Sequence, residues 1–358
     1  MLKIRQLIRE FLDIKFTSHW EQPFKVNFAI TWQCNSRCKH CYIWRTCIDK
    51  PEQVKQEVKL DEVEAIFKNF SHLTWLSLTG GEPFLRSDLV DIARTINECC
   101  RIKILSIVTN GLTPELIEHK VPEIAELRIP FTFINVSLDG IKEVHNKVRG
   151  VYSGYDRAID TLTRLDAIDR DFENLRCSFE YTISPFNVGS LKLLIDDLNQ
   201  RGLGHLVNKA TFAIAHIADF YRNNPLAPEF DNTFKARAIE DITEALKYIE
   251  RISLNGFFSR VYLKSAYTYL RTKHTPVSCR AARGSLFINP YGGVAPCTMM
   301  SKPLFNLRET GYQLKPELLK QARQALKTLG CPQCWTPCEA YQSLITNTSF
   351  FFKNLLIG

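Results

Sequence analysis

Six short apolar runs separated by amphipathic stretches constrain the fold of this 358-residue chain more than any other feature. The runs lie at 25–31, 74–79, 103–109, 131–138, 176–183 and about 210–217. Between the first two, apolar residues at 60, 63, 66, 67 and 70 have the spacing of one buried helix face. Alternating strands and helices build a parallel sheet, and ligands bind where the strands of such a sheet end. The sequence therefore predicts an α/β fold, as a partial barrel or an open sheet, with site residues directly after strands.

Further helices are expected at 88–98, 156–167, 190–199, 235–253 and 260–271. From residue 275 onward, glycine and proline interrupt a cysteine-bearing stretch that is too short for a large core. In such a stretch a bound metal can replace the missing core. We therefore expect five regions: an N-terminal amphipathic helix at 1–23, a core domain at 24–235, a helical connection at 236–275, a small metal-binding domain at 276–345 and an apolar tail at 346–358.

Composition excludes several classes of protein. Hydrophobic residues make up 45% and charged residues 23% of the chain, so a disordered or collagen-like protein is excluded. Apolar runs are far shorter than the roughly 18 residues that a membrane span needs, and the basic N-terminus leads into no signal-peptide cleavage pattern. The net charge of +8 is spread along the chain without a basic stripe that alternates with aromatic residues. We therefore expect a cytoplasmic protein with no nucleic-acid partner.

Twelve cysteines are the unusual feature of the composition. Because the cytosol keeps thiols reduced, metal ligation is favoured over disulfide bonds in a chain without an export signal. Four cysteines, at 47, 99, 100 and 177, are expected to be structural. The others form two groups that predict two metal sites: Cys34, Cys38 and Cys41 near the N-terminus, and Cys279, Cys297, Cys331, Cys334 and Cys338 near the C-terminus.

The first cysteine group has the spacing C-x3-C-x2-C on a loop directly after the first strand. Three cysteines on one loop can ligate three irons of a 4Fe-4S cube, which leaves the fourth iron open to a chelating small molecule. Zinc is the alternative, because three cysteines completed by His40 or by a distant residue also form a zinc site.

Four further motifs follow predicted strands or open a predicted helix. They are LTGGEP at 78–83, VTNG at 108–111, SLDG at 137–140 and HNKVRG at 145–150. With the cysteine triplet, and in the same order along 24–220, they resemble the motifs of radical S-adenosylmethionine (SAM) enzymes. The resemblance implies a partial (β/α)6 barrel in which a 4Fe-4S cluster on Cys34, Cys38 and Cys41 binds SAM.

The resemblance also implies cofactor-binding residues. Backbone around the GGEP motif would hold the methionyl amine of SAM, Arg149 would pair with its carboxylate, and Ser137 would face its ribose or methionyl part. The full set is Gly80, Gly81, Glu82, Pro83, Asn110, Ser137, Asp139, Arg149 and His40. A simple turn at the two glycines and a surface ion pair at Arg149 are the alternatives. No residue is assigned as a catalytic acid or base, although Glu180 shares a strand face that can line the barrel.

The second cysteine group resembles the SPASM/twitch extension of radical SAM enzymes, which carries auxiliary 4Fe-4S clusters. The full SPASM pattern has seven cysteines, and this tail has five, so the resemblance implies one auxiliary cluster of the twitch type. Its ligands are expected to be Cys279, Cys297, Cys331 and Cys334, with Cys338 as the competitor for the last place. A structural zinc ribbon with four cysteine ligands is the alternative.

The resemblance implies an oxidoreductase that cleaves SAM reductively and abstracts hydrogen from a substrate, with ferredoxin or flavodoxin as electron donor. We expect the substrate to be a peptide or protein, with a small metabolite or lipid as the alternative and a non-catalytic zinc scaffold as a third hypothesis. The amphipathic basic segment at 2–14 and the apolar segment at 350–357 can pack on the barrel or contact a membrane surface.

Overall fold

The computed structural model describes residues 23–249, 254–347 and 349–350. The amphipathic helix predicted at 1–23 and most of the apolar tail predicted at 346–358 therefore lie outside the described residues. None of the described helices is both long and apolar enough to cross a membrane.

The described residues form one nine-stranded sheet in the order β6-β5-β4-β3-β2-β1-β7-β8-β9. Strands β1 to β7 run parallel to their neighbours, and β8 and β9 are antiparallel additions. The strands are β1 (Lys25–Thr31), β2 (Trp75–Gly80), β3 (Ile104–Thr109), β4 (Phe131–Ser137), β5 (Leu175–Ile183), β6 (Thr211–Ile214), β7 (Ser285–Ile288), β8 (Gly293–Ala295) and β9 (Phe305–Asn306). The first six confirm the predicted α/β fold and its partial (β/α)6 barrel.

Helices cover the sheet and connect its strands. In chain order they are α1 (Arg45–Asp49), α2 (Leu60–Phe67), α3 (Leu89–Cys100), α4 (Pro114–Ala125), α5 (Lys142–Arg149), α6 (Gly154–Ile168), α7 (Leu191–Gln200), α8 (Asn232–Tyr248), α9 (Leu254–Thr272), α10 (Pro316–Thr328) and α11 (Pro337–Thr346). The apolar side chains of α2 that set its predicted period, including Val63, Ile66 and Phe67, are buried against the sheet core. The amphipathic spacing of these residues therefore correctly predicted that one face of α2 packs against the sheet.

The C-terminal hairpin extends the barrel sheet. Strand β7 pairs in parallel with β1, and β8 returns antiparallel to β7 through the turn at Gly292, whose φ of +79° suits glycine. Because β1 has neighbours on both edges, all seven of its residues are buried, including Lys25. The hairpin thus brings the segment that carries Cys279 and Cys297 against the first strand.

Helices α9 and α11 lie beside the strands and line an internal cavity of about 220 Å³. Tyr262 of α9 stacks on Trp335 and on Tyr341, with ring centroids 6.0 and 5.3 Å apart, and so joins the two helices. Lys103, Arg176 and Lys209 line the cavity near the strand starts, whereas Glu180 lies near the strand ends. The cavity therefore runs along the barrel from a cationic end towards the end that carries the cysteine triplet.

Candidate active site

The loop that carries Cys34, Cys38 and Cys41 is fixed by backbone hydrogen bonds to the end of α5. The amide of Arg37 donates to the carbonyl of Arg149 at 2.8 Å, and the amide of Lys39 donates to the carbonyl of Val148 at 2.8 Å. Helix α5 ends at Gly150 with φ +64°, and a Cβ there would lie 2.5 Å from the carbonyl oxygen of Arg37. Glycine at 150 is therefore needed for the loop to approach this helix end.

The GGEP turn fixes the same loop from its other side. The amides of Gly81 and Glu82 donate to the carbonyls of Thr31 and Gln33 at 2.8 and 2.6 Å. A Cβ on Gly80 would lie 2.1 Å from the carbonyl oxygen of Thr31, and one on Gly81 would lie 2.0 Å from that of Gln33. The two glycines therefore let the chain approach the residues that directly precede Cys34.

Glu82 and Asn110 connect the ends of β2 and β3 beneath the loop. The buried carboxylate of Glu82 accepts hydrogen bonds from Thr109 Oγ1 at 2.8 Å, from the Asn110 amide at 2.6 Å and from the Phe84 amide at 3.1 Å. Burial raises the pKa of Glu82 to about 7, although the three donors favour the ionised form. The Asn110 side chain donates to Asn35 Oδ1 at 2.7 Å and so reaches the loop itself.

A buried ion pair joins the SLDG and HNKVRG motifs beside Cys38. Asp139 Oδ2 lies 2.7 Å from Arg149 Nε, and Asp139 Oδ1 accepts from the Thr182 amide at 3.2 Å. Burial by itself would raise the pKa of Asp139, but the Arg149 guanidinium holds it below its ordinary value. Arg149 Nη1 lies 3.7 Å from Cys38 Sγ, so this paired guanidinium also places positive charge next to the thiol group.

The remaining predicted cofactor-binding residues lie around these motifs. Ser137 ends β4, is buried and pairs in register with Glu180 of β5. Pro83 is buried at the start of a short 3-10 helix. His40 lies near Asp139 and Arg149, and its buried Nδ1 has no hydrogen-bond partner among the described residues. Burial lowers the pKa of His40 to about 4, so its ring is neutral and one nitrogen is left to bind a further group.

The triplet fits an iron–sulfur cluster by the chemistry of its donors. Burial raises the pKa of Cys34 to about 12 and also raises that of Cys41, and each of these thiols is destabilised as a thiolate by the other members of the triplet. Thiols whose pKa is raised in this way give up their protons to a cationic partner, which the irons of a cluster supply. The described residues hold no group of three or more His, Cys, Asp or Glu side chains around a single-ion position. Metal analysis decides between a cluster and zinc.

The second cysteine group divides into thiols that lie near one another and Cys338, which lies apart. Burial and, to a smaller extent, Cys279 and Cys331 raise the pKa of Cys334; burial and, to a smaller extent, Cys334 and Cys279 raise that of Cys297. Cys279 and Cys331 are exposed, whereas Cys297 is buried beside Cys334 in a small apolar cluster. Cys338 instead lines the barrel cavity, where its electrostatic neighbours are Lys25, Glu339 and Glu180.

Three side chains near the site were given no functional role from the sequence, although Glu180 was predicted to share a strand face that can line the barrel. Lys25 is buried in β1, donates to the Cys338 carbonyl at 2.6 Å and lies 4.1 Å above the Trp75 ring centroid. Burial raises the pKa of Tyr221, and the nearby thiols of Cys41 and Cys334 add to this rise. The Tyr221 carbonyl accepts a hydrogen bond from the Tyr42 amide at 2.7 Å. Glu180 is the one carboxylic acid among the described residues that line the cavity. The sequence could have indicated a role for Lys25, because a lysine in an apolar strand needs a partner for its buried charge.

The model of the radical SAM superfamily matches residues 29–196 of the chain, which include the triplet and all four further motifs. The chain therefore contains a radical SAM domain over these residues, which make up just under half of its length. Among curated relatives, it is 31% identical to a pre-heme d1 synthase of Dinoroseobacter shibae over 189 residues, which are 51% of this chain and 43% of the relative. It is 27% identical to an Fe-coproporphyrin III synthase of Methanosarcina barkeri over 178 residues, which are 49% of this chain and 41% of the relative. The match thus spans less than half of each of these radical SAM relatives.

A solved structure extends the likeness of fold beyond the radical SAM core. The structure of native anSMEcpe with bound AdoMet and the Cp18Cys peptide has a TM-score of 0.54 and 13% sequence identity, and the match covers 94% of this chain and 98% of that one. At this identity the likeness concerns the fold alone.

Proposed function

We propose that this protein is a radical SAM oxidoreductase with its active cluster on Cys34, Cys38 and Cys41. The observation that carries the proposal is the double fixation of the triplet loop, by the GGEP turn on one side and by the end of α5 on the other. This arrangement keeps the three buried or half-buried thiols of the triplet together, and the loop offers no fourth protein ligand for a cluster. When bound, the 4Fe-4S cluster supplies the electron that cleaves SAM to methionine and a 5′-deoxyadenosyl radical.

The chain's own residues would bind and orient SAM at the strand ends. Backbone of Gly80 to Pro83 would accept the methionyl amine, while the Glu82 carboxylate, which is already bonded three times, fixes that turn. Arg149 has five N–H donors, more than Asp139 and Cys38 use, so it can also donate to the SAM carboxylate. Asp139 orients this guanidinium, and Asn110, Ser137 and the neutral ring of His40 line the same end of the barrel.

For the second cysteine group we propose one auxiliary 4Fe-4S cluster on Cys279, Cys297, Cys331 and Cys334. Cys297 and Cys334 lie in one small cluster, and Cys279 is close enough to both to raise their pKa values further, which supports this set. Cys338 lies towards the cavity and is left out of it. A cluster in this position could accept an electron from a substrate radical, which favours a net oxidation over an isomerisation.

The substrate would be a peptide or protein that inserts one side chain into the barrel. The cavity of about 220 Å³ is smaller than the roughly 300–1,000 Å³ that encloses a whole drug-sized ligand. Trp75, Phe131 and Phe133 give it an apolar wall, and Glu180 offers a hydrogen-bond acceptor near the strand ends. The peptide bound to the structurally similar anSMEcpe agrees with this proposal.

A small anionic metabolite is the second candidate substrate. Lys103, Arg176 and Lys209 line one end of the cavity, and although Lys209 pairs with Asp169 at 2.7 Å, side chains of this kind bind carboxylates or phosphates. The curated relatives named as synthases of heme-type molecules agree with this candidate. A neighbouring gene for a short precursor peptide would favour the first substrate class, and neighbouring genes of a cofactor or lipid pathway would favour the second.

Anaerobic reconstitution tests the proposed function. We expect about eight irons and eight sulfides per chain, from two clusters of four irons each, and an electron paramagnetic resonance signal of the first cluster that changes when SAM is added. Stoichiometric zinc without iron would instead identify the non-catalytic zinc scaffold. Because such clusters are destroyed by oxygen, we also propose that the protein works in an oxygen-poor cytoplasm.

A further inference from the structure

We propose that Asn223 is a positioning residue of the first cluster, and that through it the binding of SAM depends on the second cysteine group. This proposal rests on the function proposed above. Asn223 ends a short segment at 218–223, called the bridging segment from here on, which follows β6 and contains a 3-10 helix at Asp219–Tyr221. The bridging segment lies between the triplet loop and the second cysteine group and contacts both.

The side chain of Asn223 is fully buried and uses both of its N–H donors on backbone carbonyls. Its Nδ2 donates to the carbonyl of His40 at 2.9 Å and to that of His216 at 2.9 Å. Its Oδ1 accepts from the amide of Ala218 at 2.9 Å, so the same side chain closes the bridging segment on itself. The carbonyl of His40 belongs to the peptide bond that leads to Cys41. Asn223 therefore fixes the backbone directly before the third thiol of the triplet.

The backbone of the bridging segment makes a second contact with the triplet loop. The amide of Tyr42 donates to the carbonyl of Tyr221 at 2.7 Å. The GGEP turn and the end of α5 form their backbone hydrogen bonds to residues within 31–39, so the bridging segment holds the part of the loop that carries Cys41. A displaced Cys41 would change how a cluster sits against the GGEP turn and Arg149, which are proposed to bind SAM.

The other side of the bridging segment packs against the second cysteine group. Ala218 is buried in one small apolar cluster with Cys297, and Cys334 packs against that cluster. Tyr221 packs against the same cluster and also against the apolar cluster that Cys41 contacts. Because tightly packed interiors transmit displacements, a change in the position of either cysteine group acts on the bridging segment.

The bridging segment therefore connects two sites that can change state separately. The two states of the second group are its metal-bound and its metal-free form. Cys279 and Cys331 of this group are exposed, and exposed thiols from separate segments gain fixed positions when they bind a metal. Ordering of these thiols changes the surface on which the bridging segment packs, and the bond from Asn223 to His40 carries that change to the triplet loop. Such a link couples the two sites, and the coupling of their binding free energies is reciprocal.

The test measures how tightly the reconstituted protein binds SAM. SAM is added to the reduced protein, and its dissociation constant is read from the change in the electron paramagnetic resonance signal of the first cluster. Asn223→Asp keeps the size of the side chain and removes the two N–H donors to His40 and His216. We expect the dissociation constant to rise about tenfold while about eight irons per chain are retained. Asn223→Ala removes the donors without adding a charge, should shift the constant in the same direction, and replaces the Asp variant if that variant does not fold.

Asn174 provides the matched control. Its Nδ2 also donates to two backbone carbonyls, those of Ala125 and Ile129, at 2.9 and 3.1 Å, but it directly precedes β5, at the opposite end of the strands from the triplet. Asn174→Asp and Asn174→Ala should leave the SAM dissociation constant within about twofold of the native value. Urea unfolding of the metal-free proteins should show a loss of stability at both positions. Weaker SAM binding confined to the Asn223 variants is then an effect of positioning rather than of general instability.

A double-mutant cycle tests the dependence on the second cysteine group. Cys334→Ser is expected to remove the second cluster, and it should raise the SAM dissociation constant of the native chain about fivefold. Added to Asn223→Asp, it should cause a further change of less than about twofold, because the link between the sites is already broken. Equal effects of Cys334→Ser in the two backgrounds would overturn the coupling through Asn223.

Thiol reactivity gives a readout that needs no cluster. In the metal-free protein, iodoacetamide should alkylate Cys41 about tenfold faster in Asn223→Asp than in the native chain, because this part of the loop is released. The rate in Asn174→Asp should equal the native rate. Mass spectrometry of the digested protein locates the modified thiol, and equal rates in all three proteins would contradict the positioning role.

Failure of this proposal can be distinguished from failure of the proposed function. A native chain whose first cluster does not respond to SAM would overturn both. A native response, together with unchanged dissociation constants in both Asn223 variants, would overturn the role of Asn223 alone.

Discussion

The two cysteine groups of this protein are held by different kinds of contact. The first lies on one loop, and backbone hydrogen bonds fix that loop to the GGEP turn and to the end of α5. The second draws its thiols from the hairpin of β7 and β8 and from the segment between α10 and α11. Two of its four proposed ligands, Cys279 and Cys331, are exposed, whereas no thiol of the first group is fully exposed.

This difference indicates how each site forms. Glycines at 80, 81 and 150 allow close contacts between backbone segments, and none of these contacts is made through a cysteine side chain. Exposed thiols from distant segments gain their mutual position from the ions they bind, so binding there contributes to folding. We therefore expect the first site to be largely preformed and the second to depend on its metal.

The largest expected effect comes from removing the first group. Replacing Cys34, Cys38 and Cys41 together by Ala should abolish formation of 5′-deoxyadenosine from SAM, because the only proposed SAM-binding cluster loses its ligands. About four irons per chain should remain, bound by the second group. Iron analysis and chromatography of the reaction products measure both. Continued formation of 5′-deoxyadenosine would show that the active cluster lies elsewhere.

Gly81→Ala tests whether the loop is preformed. The added Cβ would lie 2.0 Å from the carbonyl oxygen of Gln33, and this backbone atom cannot move without moving Cys34. We expect a loss of about 3 kcal/mol in the free energy of unfolding of the metal-free protein and the loss of the first cluster after reconstitution.

The matched control for that variant is Gly202→Ala. Unlike Gly81, Gly202 has a left-handed backbone, with φ +76°, but a Cβ there meets nothing within 4 Å. Its cost should be limited to backbone strain of about 1 kcal/mol, with both clusters retained. Equal effects of the two substitutions in urea unfolding and iron analysis would show that the close contact at Gly81 does not hold the loop.

Most of the barrel was predictable because its signals are local. The strand positions predicted from apolar runs agree with β1 to β5 within one residue at each end, and only β6 is shorter than predicted, at Thr211–Ile214. Periodicity and turn residues act over a few positions, so the sequence carries them directly.

Long-range placements were not predictable in this way. The 276–345 region was interpreted as separate from the core, yet β7 pairs with β1 over a sequence distance of more than 200 residues. The Asp139–Arg149 ion pair and the hydrogen bond from Thr109 to the Glu82 carboxylate also depend on which strand ends lie next to each other in the fold. Residue types alone showed that these groups are polar, and gave no information on whether their partner is protein or cofactor.

Substitutions of Cys334 and Cys338 test which thiols of the second group bind the proposed auxiliary cluster. Cys279 and Cys331 lie close enough to Cys334 to contribute to its raised pKa, whereas Cys338 lines the barrel cavity. Cys334→Ser should therefore remove about four of about eight irons, and Cys338→Ser should leave the iron content unchanged. Iron and sulfide analysis after anaerobic reconstitution measures the difference. The reverse result would place Cys338 in the auxiliary cluster.

The smallest expected effect concerns the attachment of the C-terminal region to the core. Arg308 Nε lies 2.7 Å from Glu62 Oε1 on α2, and this contact, with the Lys59 amide and Tyr312, lowers the pKa of Glu62 to about 2. Glu62→Gln should lower the free energy of unfolding of the metal-free protein by about 1–2 kcal/mol at pH 7, a range reduced for the partial exposure of the pair.

The sign of the pH dependence distinguishes this contact from general packing. A carboxyl whose pKa is lowered on folding stabilises the protein above its unfolded pKa, which is 4.5 for Glu62, and loses that contribution as the pH falls towards 2. The difference between native chain and Glu62→Gln in urea unfolding should therefore shrink over this range. Glu64→Gln is the matched control, because Glu64 pairs only with the exposed Lys68 on the same helix and should give no measurable change. A difference that stays constant down to pH 2 would mean that the Glu62 side chain acts through its packing rather than its charge.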